Sequence, residues 1–314
     1  MIKLALRGLG PVFIFIAAAT AVSACQKSST ESAAPFTQSA TQSASAPMST
    51  AELIERGRYI VEIGSCNDCH TPGYSESGGK LPESEWLVGQ PFQGTIAPNL
   101  RLVAQSMPEA DFVHLLSMRT NNPVMPWQEV NGMTDSDKRA VHRYIKSLGP
   151  KGKPSAVDPK SFIEPPAGSA PATDNTSAPP EHARYLLTVG GCNYCHTPGY
   201  IESDGATLEA DWLIGSQTGR RGPWGTTYPS NLRLSVQAMT EDAFVQMAKS
   251  RSAMPPMPWP ALNFMTDSDR RALYRYIKSL GPKGLPAPAN LGPNEEPPTP
   301  FTWDAPPPAA VQHP

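Results

Sequence analysis

The eleven residues GSCNDCHTPGY at positions 64–74 return almost unchanged as GGCNYCHTPGY at positions 190–200. The similarity extends well beyond these cysteines, since MTDSDKRAVHRYIKSLGPKG at 133–152 matches MTDSDRRALYRYIKSLGPKG at 265–284. The offset between the copies grows from 126 to 132 positions, so six extra residues lie in the second copy, near 218–228. Each repeated unit is about 100 residues long, which predicts two whole domains rather than a solenoid of short units.

Segments of biased composition separate the two copies from the rest of the chain. Residues 26–48 are rich in Ser, Ala, Thr and Gln, whereas the later segments hold many of the 36 prolines. Such segments are flexible or extended because they carry no periodic apolar pattern. The sequence therefore predicts, in order, a processing signal (1–25), a tether (26–48), a first domain (49–153), a Pro/Ala-rich linker (154–179), a second domain (180–284) and a Pro-rich tail (285–314), with the tether, linker and tail disordered.

The first 25 residues have the features of an export signal. Lys3 and Arg7 precede an apolar stretch that ends in VSAC, and this ending resembles the lipobox of bacterial lipoproteins. The resemblance implies a lipidated Cys25 that anchors a periplasm-facing protein to a membrane, inner or outer. An ordinary secretory signal cut elsewhere is the alternative. The net charge of -2 shows no strongly basic domain, which argues against nucleic-acid binding.

The four cysteines other than Cys25 form two C-x-x-C-H units. This pentapeptide is the attachment motif for c-type haem. The sequence predicts two covalently bound haem c groups, in which the thiols form thioethers and an imidazole binds each iron. The residues concerned are Cys66, Cys69 and His70 in the first copy and Cys192, Cys195 and His196 in the second.

Three other uses of a C-x-x-C pair are a thioredoxin-like redox couple, a structural zinc site and a plain disulfide. A redox pair normally opens a helix after a strand, whereas here the pair follows a predicted helix and leads into loops. Zinc needs four ligands, and each copy lacks them.

Methionine is the predicted sixth ligand of each iron. Met125 and Met257 lie in MPW segments that proline holds extended, so that a thioether can project inward. Met254 is an alternative in the second copy. The other recurring methionines suit core packing, and none of the four remaining histidines recurs; these residues are Met107, Met239, Met133, Met265, His114, His142, His182 and His313.

The apolar periodicity predicts a mostly α fold. Helices are expected over 51–64 and 108–120, and the clearest one follows the capping residue Thr134. It ends at Gly149 and recurs after Thr266 in the second copy. The segment between each C-x-x-C-H and the later NLRL has little periodicity, which predicts long irregular loops.

Taken together, the chain resembles class I cytochrome c in both copies: C-x-x-C-H after a first helix, a distal Met-Pro, and a last helix with an aromatic stripe. The resemblance implies a close crossing of the first and last helices, Gly57 against Tyr144 and Ala183 against Tyr276. The layout also resembles the cytochrome c subunits of bacterial membrane-bound dehydrogenases. Those subunits commonly carry three haem motifs, whereas this chain has two.

Histidine and methionine on both faces of the iron leave no place for a substrate. The predicted function is therefore electron transfer by a lipid-anchored dihaem cytochrome, between a dehydrogenase or quinol-oxidising complex and a downstream acceptor. The chain is not expected to be an enzyme, although it can be a subunit of an oxidoreductase complex. It is expected to bind redox proteins rather than a small-molecule substrate. A dihaem peroxidase, a sulfur-compound oxidoreductase or a haem sensor are the alternatives, and each needs an open or labile haem.

Other residues are expected near the haems. The tryptophans after each Met-Pro and the arginines of each NLRL are candidate haem contacts, the arginines through the propionates: Trp127, Trp259, Arg101 and Arg233. The inserted loop at 218–228 carries Arg220, Arg221 and Trp224, and we expect it to alter haem exposure or to contact a partner. The tail holds Phe301 and Trp303, which can dock it on a domain.

Overall fold

The computed structural model describes residues 48–118, 124–156 and 181–304. The predicted signal with Cys25, nearly all of the tether and the linker, and the end of the tail with His313 lie outside the described residues. Among the helices of the described ranges, none is both long enough and apolar enough to cross a bilayer.

The first repeat consists of short helices around one hairpin. A single 3-10 turn, Glu83–Glu85, interrupts the irregular segment that follows the cysteines. Strands β1 and β2 are antiparallel, with Gln90 opposite Ala97. The elements are α1 (Thr50–Ile63), α2 (Cys66–His70), β1 (Gln90–Phe92), β2 (Thr95–Ala97), α3 (Leu100–Ser106), α4 (Glu109–Ser117), α5 (Trp127–Asn131) and α6 (Asp135–Ser147).

The second repeat has the same element order. Its elements are α7 (Glu181–Val189), α8 (Cys192–His196), β3 (Gly219–Gly222), β4 (Gly225–Thr227), α9 (Leu232–Gln237), α10 (Glu241–Ser250), α11 (Trp259–Phe264) and α12 (Asp267–Ser279), followed by β5 (Phe301–Trp303) in the tail. The prediction of a mostly α fold is confirmed. The short helices α2, α3 and α5, and both hairpins, had no counterpart in the sequence prediction, because elements of three to seven residues carry too little periodicity.

Side-chain caps fix the ends of the long helices. Ser49 and Glu52 form a capping box at the start of α1. Thr134 accepts a hydrogen bond from the amide of Asp137 at the start of α6, as its position in the sequence predicts. Gly149 has φ +71, a conformation that ends the helix and that only glycine adopts without strain.

The first and last helices of the first repeat cross at Gly57. A Cβ at this position would lie 2.0 Å from the carbonyl oxygen of Ala140 and 2.7 Å from Cβ of Tyr144. Only a residue without a side chain allows α1 and α6 to approach this closely. The Gly57–Tyr144 crossing is therefore confirmed. In the second repeat Ala183 and Tyr276 are both buried where α7 packs on α12.

The two repeats contact each other through a reciprocal interface. Tyr59 of α1 donates a hydrogen bond to Asp269 of α12, and the equivalent Tyr185 of α7 donates one to Asp137 of α6. Such a pairing of equivalent residues is typical of an isologous, two-fold interface. Two further contacts lie here: a Cβ on Gly79 would meet Pro260 at 2.7 Å, and Gln128 donates to Asp204 over 2.7 Å. The division into two cytochrome domains stays a prediction.

The prediction of a disordered tail is wrong for residues 285–304, whereas the docking expected of Phe301 and Trp303 on a domain is confirmed. Strand β5 pairs in parallel with β3, so that β4, β3 and β5 form one sheet. Leu291 forms a bridge with Thr226 of β4. The high proline content predicted disorder. In the structure, backbone groups of this segment instead form hydrogen bonds with the β3–β4 hairpin of the second repeat.

Candidate functional site

One helical turn holds each C-x-x-C-H motif. Ser65, with φ 54, and Gly191, with φ 63, turn the chain sharply into α2 and α8. Residues three apart lie on the same side of a helix, so both cysteines of a pair face one way and the histidine follows on the next position. The four thiols are free and part-buried. This arrangement presents two sulfurs and one imidazole to a single side of the turn.

A threonine hydroxyl ties each motif to the following loop. Thr71 donates to Asn67 over 2.7 Å and accepts from the amide of Leu87 over 2.7 Å. In the second repeat Thr197 makes the same two bonds, to Asn193 over 2.7 Å and from the amide of Leu213 over 2.8 Å. The loop is thereby held against the helical turn on the side of the histidine.

A backbone carbonyl orients each histidine. Nδ1 of His70 lies 2.8 Å from the carbonyl oxygen of Pro98, and Nδ1 of His196 lies 2.7 Å from that of Ser230. With Nδ1–H donated to this oxygen, Nε2 carries the lone pair and is available as a ligand. Burial lowers the pKa of both imidazoles, which keeps them neutral at pH 7. The sequence did not identify these two acceptors, because they lie 28 and 34 residues away.

The cysteine environment is unlike that of a redox couple. Burial raises the pKa of Cys66, Cys69 and Cys192 to about 12, and it also raises the pKa of Cys195. A reactive C-x-x-C pair instead needs a lowered thiol pKa. The site suits thiols that are modified once, when the protein matures, and are afterwards inert.

An apolar cavity in the first repeat brings most of the predicted site residues together. Cys66, Cys69, His70, Met125 and Trp127 all line it. Met125 follows His70 by 55 residues in the sequence, so only the tertiary fold places it at the same cavity as the C-x-x-C-H turn. The remaining walls come from the hairpin and from α3 to α6, and they include Phe92, Ile96, Val103, Phe112, Leu115, Leu116, Val130, Met133 and Val141.

The cavity fits a haem in chemistry as well as in composition. Aliphatic and aromatic walls suit a macrocycle, and the polar groups among the lining side chains include two thiols, an imidazole, a thioether and the hydroxyl of Thr95. In the second repeat, Nε1 of Trp259 is buried and has no acceptor among the described residues. Since a buried indole N–H normally has a partner, this donor suits an acceptor such as a haem propionate.

The other methionines differ in their placement. Met107 is buried, at 6% exposure, and does not line the cavity. Met133 does line it, and its methyl carbon lies 3.7 Å from where a Cβ on Gly64 would be. Met257 and Met254 are part-buried, and Met257 lies next to α11 just as Met125 lies next to α5.

Arg101 and Arg233 bind backbone carbonyls at the ends of the last helices. Arg101 donates to the backbone carbonyls of Gly149 and Ser84, over 2.7 and 2.9 Å, and to that of Leu148. Arg233 makes the equivalent three bonds in the second repeat. Because the ends of α6 and α12 have unpaired carbonyls, these guanidinium groups act as C-terminal caps. The structure therefore gives them a role in folding, and their contact with a haem propionate stays a prediction.

Three of the four other histidines lie in the described residues, and none of these three lines the cavity. His142 is buried with Nε2 3.0 Å from the carbonyl of Met107, and His114 is exposed. His182 lies 2.7 Å from Asp269 of its own repeat, the acid that also accepts a hydrogen bond from Tyr59 of the other repeat.

The inserted loop forms the β3–β4 hairpin, and its arginines contact the tail. Arg220 pairs with Asp304 through two bonds, and the exposed fraction of these side chains is 24% and 9%. Arg221 lies over the rings of Phe301 and Trp303, at 5.4 and 5.7 Å from their centroids. The partner of this loop is thus a segment of the same chain.

Sequence reasoning missed one buried acid at the site. Glu129 of α5 is 5% exposed and lies against Gly191, the residue before Cys192 of the other repeat. The only indication in the sequence is the difference between the repeats at this position, because the second repeat has the apolar Ala261 where the first has Glu129.

Comparison with known proteins agrees with this geometry. The chain is 28% identical over 293 residues to the cytochrome c subunit of an alcohol dehydrogenase (quinone) from Gluconacetobacter polyoxogenes, covering 81% of this chain and 61% of that protein. It is 25% identical over 276 residues to the corresponding subunit from Gluconobacter oxydans, covering 76% and 57%.

A third relative is the cytochrome c subunit of gluconate 2-dehydrogenase from Pantoea cypripedii, 24% identical over 274 residues, covering 74% of this chain and 60% of that protein. The chain resembles the cytochrome c subunits of dehydrogenases. The resemblance expected from the sequence is confirmed. No protein-family model matches the chain. It spans about three-fifths of the length of these cytochrome c subunits, 57% to 61%.

Proposed function

We propose that the chain is a dihaem c-type cytochrome that passes electrons from a dehydrogenase to a downstream acceptor. Each haem is bound through two thioethers, Cys66 and Cys69 in the first repeat and Cys192 and Cys195 in the second. The proposed axial ligands are His70 with Met125 and His196 with Met257. When bound, a c-type haem supplies a one-electron iron couple.

The observation that carries this proposal is the single cavity that joins Cys66, Cys69, His70 and Met125. The carbonyl of Pro98 fixes the imidazole so that Nε2 is free for iron. A thioether opposite the imidazole favours the ferrous state and raises the potential. With both axial positions filled by side chains, the site moves electrons and has no position for a substrate.

The contact between the repeats supports transfer from one haem to the other. A Cβ on Gly64, two residues before Cys66, would lie 3.6 Å from the carbonyl oxygen of Val189, three residues before Cys192. The two attachment turns therefore begin next to each other at the interface. An electron that enters one repeat has a short protein path to the other.

The dehydrogenase partner is proposed from the relatives, whose names place them as subunits of alcohol and gluconate dehydrogenases. We propose further that lipidation of Cys25 holds the protein at a membrane on its periplasmic side. Residues 26–48 would then act as a tether of about 26 Å average span, using roughly 5–6 Å times the square root of the residue number.

Expression of the full chain in a host that attaches haem c tests the proposal. We expect two covalent haems per chain by mass and by the alkaline pyridine spectrum, a methionine–iron charge-transfer band for both, and no binding of carbon monoxide. Binding of carbon monoxide by a haem of the native protein would instead support an oxidoreductase with an open site. Absence of covalent haem would refute the proposal.

A further inference from the structure

Glu129 is a buried acid, and one of its carboxyl oxygens has no partner among the described residues. Its side chain is 5% exposed, and Oε2 is buried with no hydrogen-bond donor among the described residues. No basic side chain of the described ranges forms an ion pair with it. Burying such a carboxylate is costly, and proteins rarely do so outside functional sites.

The position of Glu129 links it to the second haem site. A Cβ on Gly191 would lie 3.6 Å from Cγ and 4.0 Å from Oε1 of Glu129. Gly191 has φ +63 and directly precedes Cys192, the first attachment cysteine of the second repeat. The acid of the first repeat therefore fills the space beside the attachment turn of the second.

The equivalent place in the first haem site is different. Ala261 takes the position of Glu129, and Ser65 takes that of Gly191. The first site has its own acids, Asp68 within the motif and Glu62, which accepts a hydrogen bond from Tyr74 over 2.7 Å. The two haem sites thus differ in where a carboxyl lies and in which repeat supplies it.

We propose that Glu129, although it belongs to the first repeat, is the proton-exchanging group of the second haem site and makes the redox potential of that haem depend on pH. This rests on the proposed function, because it requires a haem on Cys192 and Cys195. Glu129 acts through the field at the iron and is a tuning residue rather than a ligand.

The physical reason is the charge of the iron. The oxidised haem carries one more positive charge than the reduced haem, and a nearby carboxylate stabilises the oxidised form, the more so in a buried site. Linkage then works in both directions: reduction raises the proton affinity of Glu129, and protonation raises the potential. Burial raises the pKa of Glu129 to about 7, so this exchange falls in the physiological range.

The exchange balances in charge and atoms. When an electron from the donor dehydrogenase reduces the second haem, a proton from solvent adds to a carboxylate oxygen of Glu129. When the electron leaves for the acceptor, the same O–H bond breaks and the proton returns to solvent.

Charged and phenolic groups face Glu129 from the described elements that pack against α5. Four side chains of the second repeat lie within electrostatic range of it: Cys192, Cys195, Tyr194 and Tyr200. In the haem-bound protein the two sulfurs would be uncharged thioethers. Helices α4 and α7 also pack against α5. On α4, Glu109 pairs with Arg143, and Asp111 and His114 are exposed to solvent. On α7, the charged and phenolic side chains have other partners: Glu181 with Arg184, Arg184 also with Glu209, His182 with Asp269, and Tyr185 with Asp137.

Spectroelectrochemical titration of the full-length holoprotein tests the proposal. A Met125→His background displaces the first haem to lower potential, so the remaining wave belongs to the second haem. We expect its midpoint to fall as pH rises through neutrality and to level off on both sides. A tenfold difference in proton affinity between the redox states corresponds to about 59 mV between the two plateaus.

The matched variants are Glu129→Gln and Glu62→Gln, which neutralise two buried acids in the same way. Glu129→Gln should remove the pH dependence of the second haem and raise its midpoint at alkaline pH. Glu62→Gln should leave that pH dependence intact. An unchanged pH dependence in Glu129→Gln overturns the proposal, as does a second haem whose midpoint is constant in the parent protein.

A second measurement uses the parent protein alone and so does not require that any variant folds. The infrared difference spectrum of the parent protein, reduced minus oxidised, should show a protonated carboxyl band near neutral pH and none at strongly alkaline pH. Absence of the band at neutral pH overturns the proposal. If the protein instead lacks covalent haem, the proposed function itself fails; two covalent haems with pH-independent midpoints remove only the role of Glu129.

Discussion

Tyr59 on the first helix of one repeat donates a hydrogen bond to Asp269 at the start of the last helix of the other. Tyr185 and Asp137 make the same bond in the opposite direction. Each acid also binds a basic residue of its own repeat, Arg56 at 2.7 Å from Asp137 and His182 at 2.7 Å from Asp269. The first turns of α6 and α12 are therefore two of the points at which the repeats are joined.

Removal of one such bond should weaken the protein measurably. Tyr59→Phe deletes a hydroxyl bound to a charged acceptor, and we expect a loss of about 1–3 kcal/mol in the free energy of unfolding, measured in urea. Asp269→Ala should cost more, because it removes the acceptor of both Tyr59 and His182. Equal stability of Tyr59→Phe and the parent protein would show that the interface does not depend on this bond.

The crossing at Gly57 should tolerate no side chain. Gly57→Ala places a methyl group 2.0 Å from the carbonyl oxygen of Ala140, so α1 and α6 must separate. We expect a loss above about 3 kcal/mol, at the upper end of overpacking effects, measured by thermal and urea unfolding. The matched change Ala183→Gly in the second repeat should cost only about 1 kcal/mol. A neutral Gly57→Ala would contradict the close approach of the helices.

Met125 and Met107 provide a direct test of axial ligation. Met125→Ala should abolish the methionine–iron band of one haem, allow that haem to bind carbon monoxide, and lower its midpoint by a sizeable part of the roughly 0.8 V that axial ligands span. Met107→Ala removes a buried side chain outside the cavity. It should lower stability by about 2–5 kcal/mol and leave the spectrum unchanged. An unaltered spectrum in Met125→Ala would rule this residue out as the ligand.

Glu129 should also make stability depend on pH. Burial raises its pKa from 4.5 to about 7, so the folded state holds the proton more tightly than the unfolded state. The stabilisation is complete below the unfolded pKa and is lost as pH rises through the folded pKa, a change of about 3 kcal/mol. Urea unfolding of the parent protein and of Glu129→Gln across this range measures it. The difference between the two proteins should vary with pH; a constant difference would contradict the raised pKa.

The tail should contribute to stability through Asp304. Asp304→Ala leaves Arg220 partly buried without its partner, which should cost about 3 kcal/mol. Glu296, on the same tail, is 89% exposed and lies 3.9 Å from Arg221, so Glu296→Ala should change stability by less than about 0.5 kcal/mol. Equal effects of the two substitutions would indicate that the tail is not held at Asp304.

The sequence by itself determined the repeat, the two C-x-x-C-H turns and the helices that carry a long apolar stripe. These features are local: a cap such as Thr134 and its helix lie within a few residues of each other, so their physics can be read from neighbouring letters. The close crossing at Gly57 was implied by the resemblance to class I cytochrome c, in which a small residue of the first helix meets an aromatic residue of the last.

Only the tertiary structure decided which distant groups meet. It placed Met125 and His70 around one cavity, paired the Pro98 carbonyl with an imidazole, and bound Arg101 to the carbonyls at the end of α6. It also placed Glu129 of one repeat beside Cys192 of the other. A hydrogen bond or a buried charge depends on distances of a few ångströms between residues far apart in the chain, and local sequence patterns contain no information on those distances.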